Sequence, residues 1–229
     1  MPSRDQEPVT IEIAGHGHVS GLLQKPSGAK ALYVLAHGAG AGMTHPSMAA
    51  IAAGLALRGI AVLRYQFLYM EKKQKRPDPP KLAQAAVRAA VAEARRLVPG
   101  LPLFAGGRSF GGRMTSGAQA VEPLPGVKGL VFLGFPLHPA GRPGRERADH
   151  LADVHIPMLF LSGTRDALAE LGHLEPVVRS LGGRATLKLF DQADHSFHVP
   201  ARSGRTDAEM LEDILDAFSR WVEKATAVS

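Results

Sequence analysis

LPLFAGGRSFGG, residues 101–112, decides how the rest of the chain is read. Leu101 to Ala105 is an apolar run of strand length, and Phe110 to Ala120 suits a helix. Between them Gly107-Arg108-Ser109-Phe110-Gly111 fits the Gly-x-Ser-x-Gly pattern, in which a serine occupies a turn so tight that its close neighbours must lack a Cβ. Such a turn presents the hydroxyl and sets the N–H of the next residue, Phe110, at a helix N-terminus, where developing negative charge is stabilised. Glycine and serine are common, so the pattern alone also describes an ordinary glycine-rich turn. The strand before it and the helix after it favour the nucleophile.

Outward from this turn, apolar strands alternate with helical stretches. Ala31 to Ala36 is apolar throughout, as in a parallel sheet covered on both faces. Ile60 to Leu63, Val127 to Gly134, Pro157 to Ser162 and Ala185 to Phe190 read as further strands. Pro46 to Gly59, Lys81 to Val98, Leu171 to Leu181 and a segment opened by a Thr206/Glu209 capping box carry apolar residues at helical spacing. At the N-terminal side, Val9 to Ile13 alternates, with His18 to Gln24 as its hairpin partner. The pattern predicts an α/β fold with a mainly parallel sheet and helices on both faces, a single domain over residues 1–229. Phe135 to His150 is too short for a large inserted lid, so a minimal lid or none is expected.

In a parallel sheet the strand carboxyl ends share one edge. Asp166, in Ser162-Gly-Thr-Arg-Asp166, and His195, in Asp194-His-Ser-Phe197, each follow a strand as Ser109 does. The order Ser109, Asp166, His195 provides nucleophile, orienting acid and base. Asp194 adjoins His195, and adjacent side chains in a turn usually diverge; Asp191 reads as a turn residue. His37-Gly38-Ala39-Gly40 follows the strand at 31–36 and reads as a loop whose Ala39 N–H joins that of Phe110 as an oxyanion donor. A dinucleotide fingerprint is rejected because Met43 occupies its third glycine and no acidic residue ends the next strand.

Residues 64–80, RYQFLYMEKKQKRPDPP, read as an irregular loop at a strand's carboxyl end, with Tyr65, Phe67 and Tyr69 as site walls or as packing beneath it. Arg64 and Tyr69 from this loop, with Arg108 of the serine turn, are the expected substrate contacts. Arg113 is a further side chain that flanks the turn and would hold a substrate carboxylate or an internal acid.

Composition narrows the partners. With 45% hydrophobic and 21% charged residues the chain can bury a core, and the absence of cysteine excludes disulfides, thiolate metal sites and a thiol nucleophile. His16 and His18 flank a glycine with no third ligand nearby, so no metal is expected, nor any other cofactor. Lys and Arg number 27 against 21 Asp and Glu, and Lys72 to Arg76 is the densest basic run. Without a recognition helix or RNA-binding signature, a solvated loop or a rim steering anionic substrates is the better reading, and nucleic acid is not an expected partner. No stretch approaches the ~20 apolar residues of a membrane span, and the first residues lack a leader pattern, so a cytoplasmic protein acting on a small-molecule substrate is expected.

The motifs His37 to Gly40, Tyr69 to Pro80, GGRSFGGRM at 106–114, Ser162 to Asp166 and Asp194 to Phe197 together resemble a small α/β-hydrolase of the dienelactone-hydrolase-like group, close to an alpha/beta-hydrolase-like branch with a serine nucleophile. These blocks spread over residues 31 to about 206. Dienelactone enzymes use cysteine where this chain has Ser109, so their reaction is not carried over. The expected activity is that of a serine hydrolase acting on a small carboxylic ester. A peptide, thioester or amide hydrolase would share the triad, and a binding protein on the same fold is the non-enzymatic alternative.

Overall fold

The apolar strands assemble as their sequences predict, with one correction that bears on the site. In the computed structural model, which describes residues 6–227, eight strands form one sheet in the order β1-β2-β4-β3-β5-β6-β7-β8. β1 (Gln6–Ile13) and β2 (Gly17–Gln24) are an antiparallel hairpin, and β2 runs antiparallel to β4 (Ile60–Tyr65). From β4 onward the pairs are parallel, through β3 (Ala31–Ala36), β5 (Leu103–Arg108), β6 (Val127–Leu133), β7 (Met158–Gly163) and β8 (Ala185–Phe190).

The two-residue period of a strand divides its side chains between two cores. On β3, Ala31, Tyr33 and Leu35 join one apolar cluster with α1 (Pro46–Leu57) and α6 (Asp207–Ala227). Leu32, Val34 and Ala36 join the other, with α3 (Pro80–Leu97), α4 (Phe110–Val121) and α5 (Leu171–Ser180). The capping box forms as read: Thr206 N–H donates to Glu209 Oε2 at 2.8 Å and Glu209 N–H to Thr206 Oγ1 at 3.2 Å.

β3 leads outward through α1 to β4, whereas its other neighbour, β5, leads through α4 to β6 in the opposite direction. The loops after β3 and β5 therefore diverge and open a crevice at the carboxyl edge of the sheet. Between β6 and β7 the only helix among the described residues is a short 3₁₀ segment, Glu146–Asp153, so no lid domain covers that edge.

The correction concerns residues 64–80. Arg64 and Tyr65, read as the start of a loop, continue β4 and pair with Leu22 and Gly21 of β2 and with Leu35 and Ala36 of β3. Leu68–Glu71 then forms a one-turn helix, α2, and Glu71 fastens it to the hairpin by accepting the N–H and hydroxyl of Ser20, each at 2.9 Å. Tyr65, Phe67 and Tyr69 are all fully buried, so of the two readings of these aromatics packing holds. Among the described residues no helix is long and apolar enough to cross a membrane.

Candidate active site

Ser109 is the N-cap of α4 and has φ 50° and ψ −114°, a backbone region rarely populated by a residue with a side chain. The glycines around it are needed for close approach. A Cβ on Gly107 would collide with Ala36 O, and one on Gly111 would lie 2.6 Å from the carbonyl oxygens of Ala36 and His37. The strained serine is tied to the sheet by its N–H, which donates to Leu133 O at 3.1 Å.

Asp166 and His195 arrive from the ends of β7 and β8. His195 Nδ1–H faces both oxygens of Asp166, at 2.8 and 2.9 Å, and its Nε2 lies 2.9 Å from Ser109 Oγ. Because an ionised carboxylate only accepts, Nδ1 carries the proton and Nε2 presents its lone pair to the serine hydroxyl. Asp166 is 2% exposed and accepts the Leu168 N–H at 2.8 Å, while the His195 side chain retains 22% exposure toward the crevice. A Cβ on Gly163 would collide with Ala193 O, so the loops that carry Asp166 and His195 touch through a missing side chain. Asp194 is used within its own turn, where Oδ1 accepts the N–H groups of Ser196 at 2.7 Å and His198 at 3.0 Å.

The loop after β3 faces Ser109 from the other side. It reverses through a bridge between Gly38 and Ala41, leaving Ala39 and Gly40 at its tip. His37 is fully buried at its base: Nδ1–H donates to Gly38 O at 2.7 Å and Nε2 accepts the Phe67 N–H at 3.1 Å. Burial lowers its pKa to about 4, consistent with a neutral ring that must accept at Nε2. Among the described residues the N–H groups of Phe110 and Ala39 donate to no protein acceptor.

The alpha/beta hydrolase domain family profile matches residues 29–223. The chain belongs to that family. Solved structures with the same fold include a dienelactone hydrolase from Anabaena variabilis, 22% identical over 96% of this chain and 97% of that one, with a TM-score of 0.77. An α/β serine hydrolase without a lid from Xanthomonas campestris is 20% identical over 96% of each chain, at 0.74. Est1E from Butyrivibrio proteoclasticus, solved with ferulic acid bound, is 15% identical over 96% of this chain and 99% of that one, at 0.75.

In this α/β hydrolase the three expected substrate contacts lie elsewhere. Arg64 is 1% exposed, and Nη1 donates to Met43 O at 2.8 Å; its place inside β4 makes it a brace for the loop after β3. Tyr69 is fully buried, and its hydroxyl donates to Ala39 O at 2.8 Å, with Gly38 O at 3.3 Å. Arg108 points to a separate cavity of about 210 Å³, donating to Ser47 Oγ at 2.8 Å and to Ser196 O at 3.4 Å. The cavity that does contain Ser109 measures about 340 Å³ and is bordered by Ala39, Phe110, Arg113, Pro136, Arg147 and Leu168, with Pro77, Asp78 and Pro80 at its side.

Arg147 escaped the sequence reading because it lies in the Pro-, Gly- and Arg-rich connection, where no periodicity orders the arginines. Arg113 had a signal. It stands four residues after Ser109, on the same face of the helix that begins at Phe110. Among the described residues no group of three or more His, Cys, Asp or Glu could hold a metal ion.

Proposed function

We propose that this α/β hydrolase is a serine carboxylic ester hydrolase with Ser109 as nucleophile, His195 as general base and acid, and Asp166 as the orienting carboxylate. The reading rests on one observation: the continuous contact from Asp166 through His195 to a serine hydroxyl held on a positive-φ turn.

His195 Nε2 takes the Ser109 proton as Oγ attacks the ester carbonyl carbon. The carbonyl oxygen becomes an oxyanion that accepts the N–H groups of Phe110 and Ala39, each worth about 3 to 4 kcal/mol of barrier in comparable sites. The tetrahedral adduct collapses, the C–O bond to the alcohol breaks, and His195 returns the proton to the departing alkoxide. Water then loses a proton to His195 and attacks the acyl-enzyme; the C–O bond to Ser109 breaks, His195 returns the proton to Oγ, and a carboxylic acid leaves the regenerated enzyme. Ester and water are consumed, alcohol and acid are formed, and no redox partner is needed. The crevice without a lid domain and its modest cavity suit a small-molecule substrate.

The test is labelling with a fluorophosphonate, mapped by mass spectrometry, on wild type, Ser109→Ala and His195→Ala. Label on Ser109 that needs His195 supports the proposal; label elsewhere, or none on folded protein, overturns it. An ester, thioester and amide panel then separates esterase action from the other acyl transfers.

A further inference from the structure

The Ser109 cavity carries positive charge that the ester reaction does not use. Arg113 sits one turn into α4, where its N–H donates to Ser109 O at 3.1 Å, and Arg147 enters from the 3₁₀ segment between β6 and β7. Both line the cavity with Ser109 and Phe110. Among the described residues, no carboxylate lies within ion-pair distance of either guanidinium.

Their remaining contacts are few. Arg147 Nη1 donates to His138 O at 3.0 Å. The Arg113 guanidinium lies 5.8 Å from the centre of the Phe110 ring, and its Nε is buried with no acceptor. An orphaned buried charged donor is costly, and two neighbouring cations that ion-pair with neither Asp78 nor Asp153, the carboxylates lining the cavities Arg113 borders, cost more. In keeping with this, burial first and Arg147 second lower the Arg113 pKa. Asp78, the acidic group in the lining, accepts the Tyr69 N–H at 3.1 Å through Oδ2 and forms no ion pair with Arg113. A forked guanidinium is matched by a planar carboxylate that fills both donor positions.

We infer that Arg113 and Arg147 form the specificity subsite for a carboxylate carried by the substrate, so that the enzyme acts on small anionic esters. This rests on the serine hydrolase reading above and deepens it. One helical turn, about 6 Å along the axis, separates Ser109 from Arg113, which sets the carboxylate a few bonds from the scissile carbonyl.

Two substrate pairs test the inference. Monomethyl glutarate against methyl pentanoate puts the carboxylate in the acyl half, and 4-carboxyphenyl butanoate against phenyl butanoate puts it in the alcohol half. Rates are measured on wild type, Arg113→Met, Arg147→Met and Arg113→Lys. In one pair, wild type should favour the anion by at least roughly tenfold in kcat/KM, and that ratio should fall at least roughly tenfold in each Met variant, mainly through KM. Arg113→Lys should recover part of it. A ratio untouched by the Met variants in both pairs overturns the inference and, if neutral esters are turned over, leaves the hydrolase reading intact. If no ester is turned over and Ser109 takes no label, the hydrolase reading has failed, and titration calorimetry with glutarate decides the subsite alone. Saturable binding weakened roughly tenfold by Arg113→Met supports it, whereas no binding, or equal binding to the variants, overturns it.

Discussion

The hydroxyl of Tyr69 donates to the carbonyl oxygen of Ala39 at 2.8 Å, joining the residue after α2's first position to the tip of the loop that faces Ser109. That contact holds the peptide after Ala39, and the same hydroxyl lies 3.3 Å from Gly38 O, the carbonyl of the peptide whose Ala39 N–H serves the oxyanion in the proposed mechanism. Tyr69→Phe should therefore lower kcat by about tenfold with a smaller change in KM, since a loosened donor costs less than the hundredfold or more of a deleted one. Steady-state kinetics on one ester checks this; an effect confined to KM would place Tyr69 in ground-state binding instead.

The contact from Asp166 to His195 makes a second expectation. Asp166→Asn can donate to His195 Nδ1, which then accepts, and the ring turns its remaining N–H toward Ser109 Oγ in place of a lone pair. kcat should drop by about 10⁴ while the fold is kept, and Ser109→Ala and His195→Ala should each cost at least as much without adding when combined. Kinetics on the single and double variants, alongside circular dichroism, separates loss of chemistry from loss of structure.

Two glycines of the site loops should respond oppositely to alanine. A Cβ on Gly107 would strike Ala36 O in the neighbouring strand, whereas one on Gly40 would meet nothing within 4 Å. Gly107→Ala should destabilise by roughly 3 kcal/mol or more, and Gly40→Ala should stay within about 0.5 kcal/mol. Urea denaturation of both variants reads the difference directly.

The strands and the meeting of Ser109, His195 and Asp166 were legible because each rests on a local rule. Apolar runs such as Leu159 to Leu161 give a strand wherever they fall, and glycines around Ser109 reflect a steric need that no tertiary context relaxes. The loop at 64–80 was misread for the opposite reason. Arg64 is charged and Tyr65 aromatic, so local polarity suggested a strand end, yet pairing to β2 on one side and β3 on the other holds both in the sheet. The arginines show the same limit. Sequence adjacency to Ser109 favoured Arg108, but a strand end and a helix first turn point their side chains to different sides, and Arg108 faces Ser47 while Arg113 faces the cavity. The helical spacing of Ser109 and Arg113 was the signal that separates them.

His37 gives the pH prediction. Its pKa is lowered to about 4 by burial, against about 6.5 in an unfolded chain, so between these values the unfolded state binds more protons than the folded one. Stability must then fall as pH drops from about 6.5 to about 4, by roughly 3 kcal/mol from this group alone. The sign follows from the hydrogen bonds: Nε2 accepts the Phe67 N–H, and protonating it would set two donors against each other in a site with no water-facing escape. Urea denaturation of wild type and His37→Gln at pH 4 to 7 isolates the term as the difference in slope, because the remaining titrating groups are common to both proteins. The variant should be less stable at pH 7, where it lacks the native pair of bonds, and should lose less on acidification. Parallel pH curves would mean that His37 does not carry this proton linkage.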